Sequence, residues 1–125
     1  MDNIGKIVAF WSNCLRGEGP ATSAEIGGVA GAFADMLAGE LAEQGREGVS
    51  VEQIAAFESA LSATLNAANR LNVGVDYHPD RTLTAACKAA GIDGEWIFPI
   101  KTTTWVGIDG IAMVSAGYGT KAVPL

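Results

Sequence analysis

Apolar residues recur at intervals of three and four over the first segment, which sets Ile4, Ile7, Val8, Trp11 and Leu15 on one stripe of a 3.6-residue helix. Asp2 or Asn3 supplies its N-cap, and Gly17, Gly19 and Pro20 end it. A second helix is predicted from Thr22 or Ser23 to near Gly45, because Thr22 and Glu25 have capping-box spacing and Ile26, Val29, Phe33, Met36, Leu37 and Leu41 form its stripe. Gly27 and Gly31 lie one turn apart on it. Each interior glycine costs roughly 1 kcal/mol relative to alanine, so close packing on a neighbouring helix is expected as compensation. The third helix has the clearest start: Ser50 and Gln53 form a capping box, Val49 and Ile54 a hydrophobic staple, and Ile54, Phe57, Leu61, Leu65 and Ala68 the stripe. All three are one-sided, which predicts an N-terminal layer of three helices.

Asn72 to Tyr77 alternates, with Val73, Val75 and Tyr77 on one side, and reads as a short strand. A short fourth helix follows, with Pro79 in its first turn, Leu83, Ala86, Cys87 and Ala90 on its buried side, and Gly91 with Ile92 as its C-terminal cap. From Trp96 onward the period falls to two and β-branched and aromatic residues dominate, so the final third is read as an antiparallel sheet. Asp109-Gly110 is a two-residue hairpin signal. A turn centred there pairs Ile108 with Ile111, Val106 with Met113 and Thr104 with Ser115 on one face, and Trp105 with Val114 and Gly107 with Ala112 on the other. Both faces are then substantially apolar, so one is expected on the helices and the other on a second subunit or partner. Val123 to Leu125 adds an edge. The expected whole is a single α+β domain over residues 1–125, helical to about residue 72 and mixed β beyond.

Composition sharpens this picture in three ways. With 125 residues, 49% of them hydrophobic, the chain can bury roughly two-thirds of its unfolded surface and is far from a disordered composition. Its net charge of −6 has the wrong sign for holding phosphates, which argues against nucleic acid as a partner. The first 72 residues carry most of that charge, and the plain reading is a solvated helical face. No apolar run reaches the ~18 residues of a membrane span, and Asp2 and Asn3 stand where a secretory leader has basic residues. Cys14 and Cys87 have neither metal nor redox spacing and read as buried thiols. A cytoplasmic protein is expected, of the producing cell or of one a phage has entered.

Chemistry-bearing residues gather in two places. Tyr77-His78-Pro79-Asp80-Arg81 resembles the His-Pro-Asp loop of J-domain co-chaperones, a family in which that turn joins two antiparallel helices and stimulates a chaperone ATPase. The resemblance covers five residues, and the basic helix that precedes the turn in that family has here only Arg70. Asp76, His78 and Asp80 alternate and could converge on a divalent ion, yet the set is sparse, and the plainer reading is a polar loop (Asp76, His78, Asp80, Arg81) whose aspartate caps the fourth helix. His78 is the only imidazole, with Ser115, Cys87 and Cys14 the imaginable nucleophiles; none lies in a recognisable catalytic context, so no catalytic residue, metal or cofactor is assigned. The second gathering is Lys101, Thr102, Thr103, Thr104, Tyr118, Thr120 and Lys121, the densest set of donors in the chain. Gly117-Tyr118-Gly119-Thr120-Lys121 lacks phosphate-loop spacing and a following helix.

The reading that these features support first is a non-enzymatic, self-associating acidic protein that binds another protein, an inhibitor or accessory factor of phage or mobile-element type. Trp96, Trp105, Met113 and Tyr118 are its expected contacts. The alternative is an oligomer that sequesters a phosphorylated small molecule through Lys101, Thr103, Tyr118 and Lys121; a small His-dependent enzyme comes third.

Overall fold

The computed structural model describes residues 2–18, 46–68, 71–94, 97–116 and 121–125. Among these, three helices and four strands follow in the order α1 (Asn3–Leu15), α2 (Val51–Ala67), β1 (Val73–Val75), α3 (Arg81–Ala90), β2 (Thr102–Val106), β3 (Ala112–Ala116) and β4 (Val123–Pro124). The fold is α+β. The helix expected from Thr22 to Gly45, with Gly27 and Gly31, lies outside the described residues; of the three helices expected in the N-terminal part, α1 and α2 are described.

Local chemistry explains the helix starts. Asp2 caps α1 by accepting the Gly5 amide at 2.7 Å. Both halves of the capping box form at α2: the Gln53 amide donates to Ser50 Oγ at 3.1 Å, and the Ser50 amide donates to Gln53 Oε1 at 2.9 Å. Gln53 Nε2 also donates to the Gly91 carbonyl at 3.0 Å, which ties the start of α2 to the end of α3. The stripe of α2 buries Ile54, Phe57, Leu61 and Leu65, but Ala68 is exposed and serves as the C-cap. At α3 the expected cap is refined: Asp80 is the N-cap, so Pro79 stands ahead of the helix and not in its first turn.

The sheet is an antiparallel meander in the order β1-β2-β3-β4. β1 is shorter than its alternation predicts, because Val75 bridges to Pro79 and the chain turns at Asp76, leaving Tyr77 half exposed. The β pattern from Trp96 also starts late: Ile97, Phe98, Pro99 and Ile100 are all buried in a turn before β2, a contiguous apolar run that plugs the core. Trp11 is fully buried and meets Phe10 and Phe98 edge to face, with ring centroids 5.0 and 5.6 Å apart. Such pairs exceed plain area burial in strength.

The hairpin register differs by one residue from the expected one. Gly107 N–H donates to the Ile111 carbonyl and Gly110 N–H to the Gly107 carbonyl, both at 2.9 Å, so Ile108, Asp109 and Gly110 form a three-residue loop. Gly110, at φ +80°, takes the left-handed position that closes such loops and that side chains avoid. The observed pairs are therefore Thr102 with Ala116, Thr103 with Ser115, Thr104 with Val114, Trp105 with Met113 and Val106 with Ala112. A one-residue slip reassigns faces. Thr102, Thr104, Ala112 and Val114 are buried toward the helices, while Ile108, expected to pair, is fully exposed in the loop.

Candidate functional site

Strand alternation sends Thr103, Trp105, Met113 and Ser115 to the face opposite the helices. Trp105 and Met113 are cross-strand partners there, half-buried, and both lie outside the core cluster formed among the described residues and the side chains packed against it. Gly74 lies opposite Thr103, and a Cβ at that glycine would stand 3.0 Å from Thr103 Oγ1, so the threonine side chain rests over the bare backbone. Pro124, paired with Met113, extends the same face on β4. This outer face carries no ionisable side chain in Gly74, Thr103, Trp105, Met113, Ser115 or Pro124.

At one end of the face the structure brings together two sets that the sequence kept apart. Lys101 takes a left-handed backbone conformation at φ +53°, uncommon for a side-chain-bearing residue, and its amide donates to the Asp76 carbonyl at 2.8 Å. Its ammonium pairs with the Asp76 carboxylate and lies 4.6 Å from the Tyr77 ring centroid, a cation–π arrangement. An anion arriving at Lys101 therefore competes with a carboxylate already in place.

The remaining polar-loop residues are largely structural. Asp80 Oδ1 accepts the Leu83 amide and Oδ2 the Gly74 amide, each at 2.9 Å, so one carboxylate caps α3 and fastens β1. His78 and Arg81 are exposed. The segment before this turn is a strand, whereas the J-domain resemblance calls for a helix. Among the described residues no three His, Cys, Asp or Glu side chains gather in a way that could hold a metal ion. Cys14 and Cys87 are buried as expected, and burial pushes both thiols up to about 12; nearby Arg46 opposes the effect at Cys14 and Asp93 adds to it at Cys87. Such thiols are poor nucleophiles. Lys121 is exposed ahead of β4, and Trp96 and Tyr118 lie outside the described residues.

Two features were not anticipated. Thr104 is fully buried, with its hydroxyl accepting from Trp11 Nε1 at 2.9 Å and donating to the Val73 carbonyl at 3.2 Å, so it anchors β2 rather than serving a ligand. A cleft of about 210 Å³ opens between Pro79, Thr84, Cys87, Lys88, Ile92 and Asp93. Among the described residues no helix is long and apolar enough to cross a membrane. No protein family matches the chain, and no curated protein or solved structure matches it.

Proposed function

We propose that this chain is a binding protein, acting by contact and not by turnover, whose outer sheet face is its contact surface both for itself and for a protein it modulates. The observation that carries this reading is the Trp105–Met113 pair, two large apolar side chains set side by side outside the core. Aromatic and methionine side chains supply most of the binding energy where they cluster. The acidic remainder of the surface, at a net charge of −6, keeps such a protein soluble and selects against anionic competitors. A small inhibitor or accessory factor working in the cytoplasm has this design. Trp105→Ala is the test: with the circular dichroism spectrum and melting temperature held, sedimentation and partner capture should both fall by tenfold or more in affinity. Unchanged self-association and capture in a folded Trp105→Ala protein would sink the assignment of this surface.

A further inference from the structure

The chain contains two Asp-Gly sequences, Asp93-Gly94 and Asp109-Gly110. An aspartate followed by glycine is open to attack by the chain on itself, because glycine places no side chain beside its own nitrogen and leaves the backbone free to rotate. The fold treats the two sequences differently.

At Asp109-Gly110 the attacking nitrogen is engaged. The Gly110 N–H donates to the Gly107 carbonyl at 2.9 Å, within the loop that closes the hairpin. The Ile111 N–H donates to Asp109 Oδ1 at 3.1 Å and draws the carboxylate to the amide beyond the glycine. This nitrogen reacts only in the fraction of molecules whose loop has opened.

The nitrogen of Gly94 is in another state. Helix α3 is closed just ahead of it, by Gly91 at φ +70° and by the Ile92 N–H donating to the Cys87 carbonyl at 2.9 Å. Asp93 and Gly94 then lie in neither helix nor strand. Among the described residues the Gly94 N–H meets no hydrogen-bond acceptor, although the residue is buried. Buried amides are nearly always paired. Asp93 is exposed, and both residues line the cleft of about 210 Å³, many times the roughly 10–15 Å³ that one water needs. Nitrogen, carboxyl group and water therefore meet at one place.

We infer that Asp93-Gly94 is a site of spontaneous isomerisation in the folded protein, and that the fold protects Asp109-Gly110. The Gly94 nitrogen attacks the side-chain carboxyl carbon of Asp93. A carbon–nitrogen bond forms, a carbon–oxygen bond of the carboxyl group breaks, and the amide proton leaves with the hydroxyl as water, closing a five-membered succinimide. Water then adds to one of the two ring carbonyls. Attack at the side-chain carbonyl restores aspartate; attack at the main-chain carbonyl leaves the chain running through the side chain, as isoaspartate. The product inserts one methylene into the main chain shortly before residues 97–100, which are all buried. The site has little room for it, since even a Cβ on Gly94 would stand 2.7 Å from Cys87 Sγ. Aged molecules are consequently less stable.

The test ages the full, unaltered chain in heavy-oxygen water at neutral pH. Each passage through the ring takes up one heavy oxygen, whichever carbonyl is attacked. Trypsin, cutting after Lys88, Lys101 and Lys121, then separates residues 89–101 from residues 102–121, each with a single aspartate. Uptake in residues 89–101 should exceed that in residues 102–121 by about tenfold or more in the folded chain, and the two should come within about threefold of each other in urea, where the loop is open. Equal uptake in the folded chain, more in residues 102–121, or none in either overturns the inference. A tenfold difference that persists in urea overturns the part assigned to the fold. Asp93→Glu, whose larger ring closes far more slowly, should take up no heavy oxygen in residues 89–101 and hold its melting temperature while that of the parent falls with age. A glutamate variant that loses melting temperature as fast as the parent overturns the link to stability.

Discussion

Replacing Thr104 by valine changes one hydroxyl for one methyl at nearly constant volume, at a site with no exposure to water. The hydroxyl has two partners, the Trp11 indole N–H and the Val73 carbonyl. Its loss strands the indole donor in a fully buried position, since Trp11 is itself 0% exposed. An orphaned buried donor costs about 1–3 kcal/mol and a lost neutral hydrogen bond about 1 kcal/mol, partly offset by the easier burial of a methyl group. The expected loss is about 2–3 kcal/mol, measured by urea unfolding with far-ultraviolet circular dichroism. Thr102→Val is the control. Thr102 is equally buried, but its hydroxyl only donates to the Ile100 carbonyl at 3.2 Å, so no donor is stranded and the cost should stay below about 1 kcal/mol. With Trp11→Phe as background, Thr104→Val should lose at least about 1 kcal/mol of its effect, because the donor is gone. Equal costs for the two threonines, or strict additivity with Trp11→Phe, would refute the assignment of Thr104 as the junction between α1, β1 and β2.

Asp80→Ala removes both a helix cap and the closure of β1, for an expected loss of about 2 kcal/mol, while Asp80→Asn, which keeps one acceptor, should lose about half of that in the same unfolding assay. Gly94→Ala places a Cβ 2.7 Å from Cys87 Sγ and should cost about 1–3 kcal/mol; in a Cys87→Ala background most of that cost should vanish, and persistence would show that the clash lies elsewhere. Alkaline pH should weaken the fold in a defined window. Both thiols rise from 9.0 to about 12 on folding, so the unfolded chain releases its thiol protons first. Stability is thus intact below pH 9 and falls toward pH 12, by at most about 1.4 kcal/mol per unit for each thiol. A Cys14→Ala, Cys87→Ala chain whose stability declines with the same slope would contradict this.

Helix positions were legible wherever a stripe and a cap coincide, as at Ser50 with Gln53 and at Asp2. Both signals are local and survive without knowledge of the rest of the fold. The hairpin shows the opposite case. Asp109-Gly110 fits a two-residue turn and equally the end of a three-residue loop, and only the hydrogen bonds of Gly107 and Gly110 choose between them. That one-residue choice decides that Trp105 faces Met113 and not Val114. Trp105 and Met113 could be named as contacts from size and polarity, whereas their pairing could not. Lys101 was visible as a cation near threonines, but the run Thr102-Thr103-Thr104 alternates inward and outward, and that alternation was the signal that two of the three hydroxyls belong to the core. The Lys101–Asp76 pair spans two elements with α3 between them, and no local pattern foretells it.

The bond from Trp11 to Thr104 joins residues 93 apart, and that from Asn3 to Gly110 joins residues 107 apart. Folding in this chain consequently waits on synthesis. As the polypeptide emerges from a ribosome, α1 and α2 can find one another early, but the floor on which Trp11 rests does not exist until β2 has been made, and the clasp at Asn3 waits for the hairpin tip. Closing such long loops is slow. Nascent chains that stop short of Thr104 leave the Trp11 indole without its partner, which marks them as substrates for chaperones and proteases until β2 arrives.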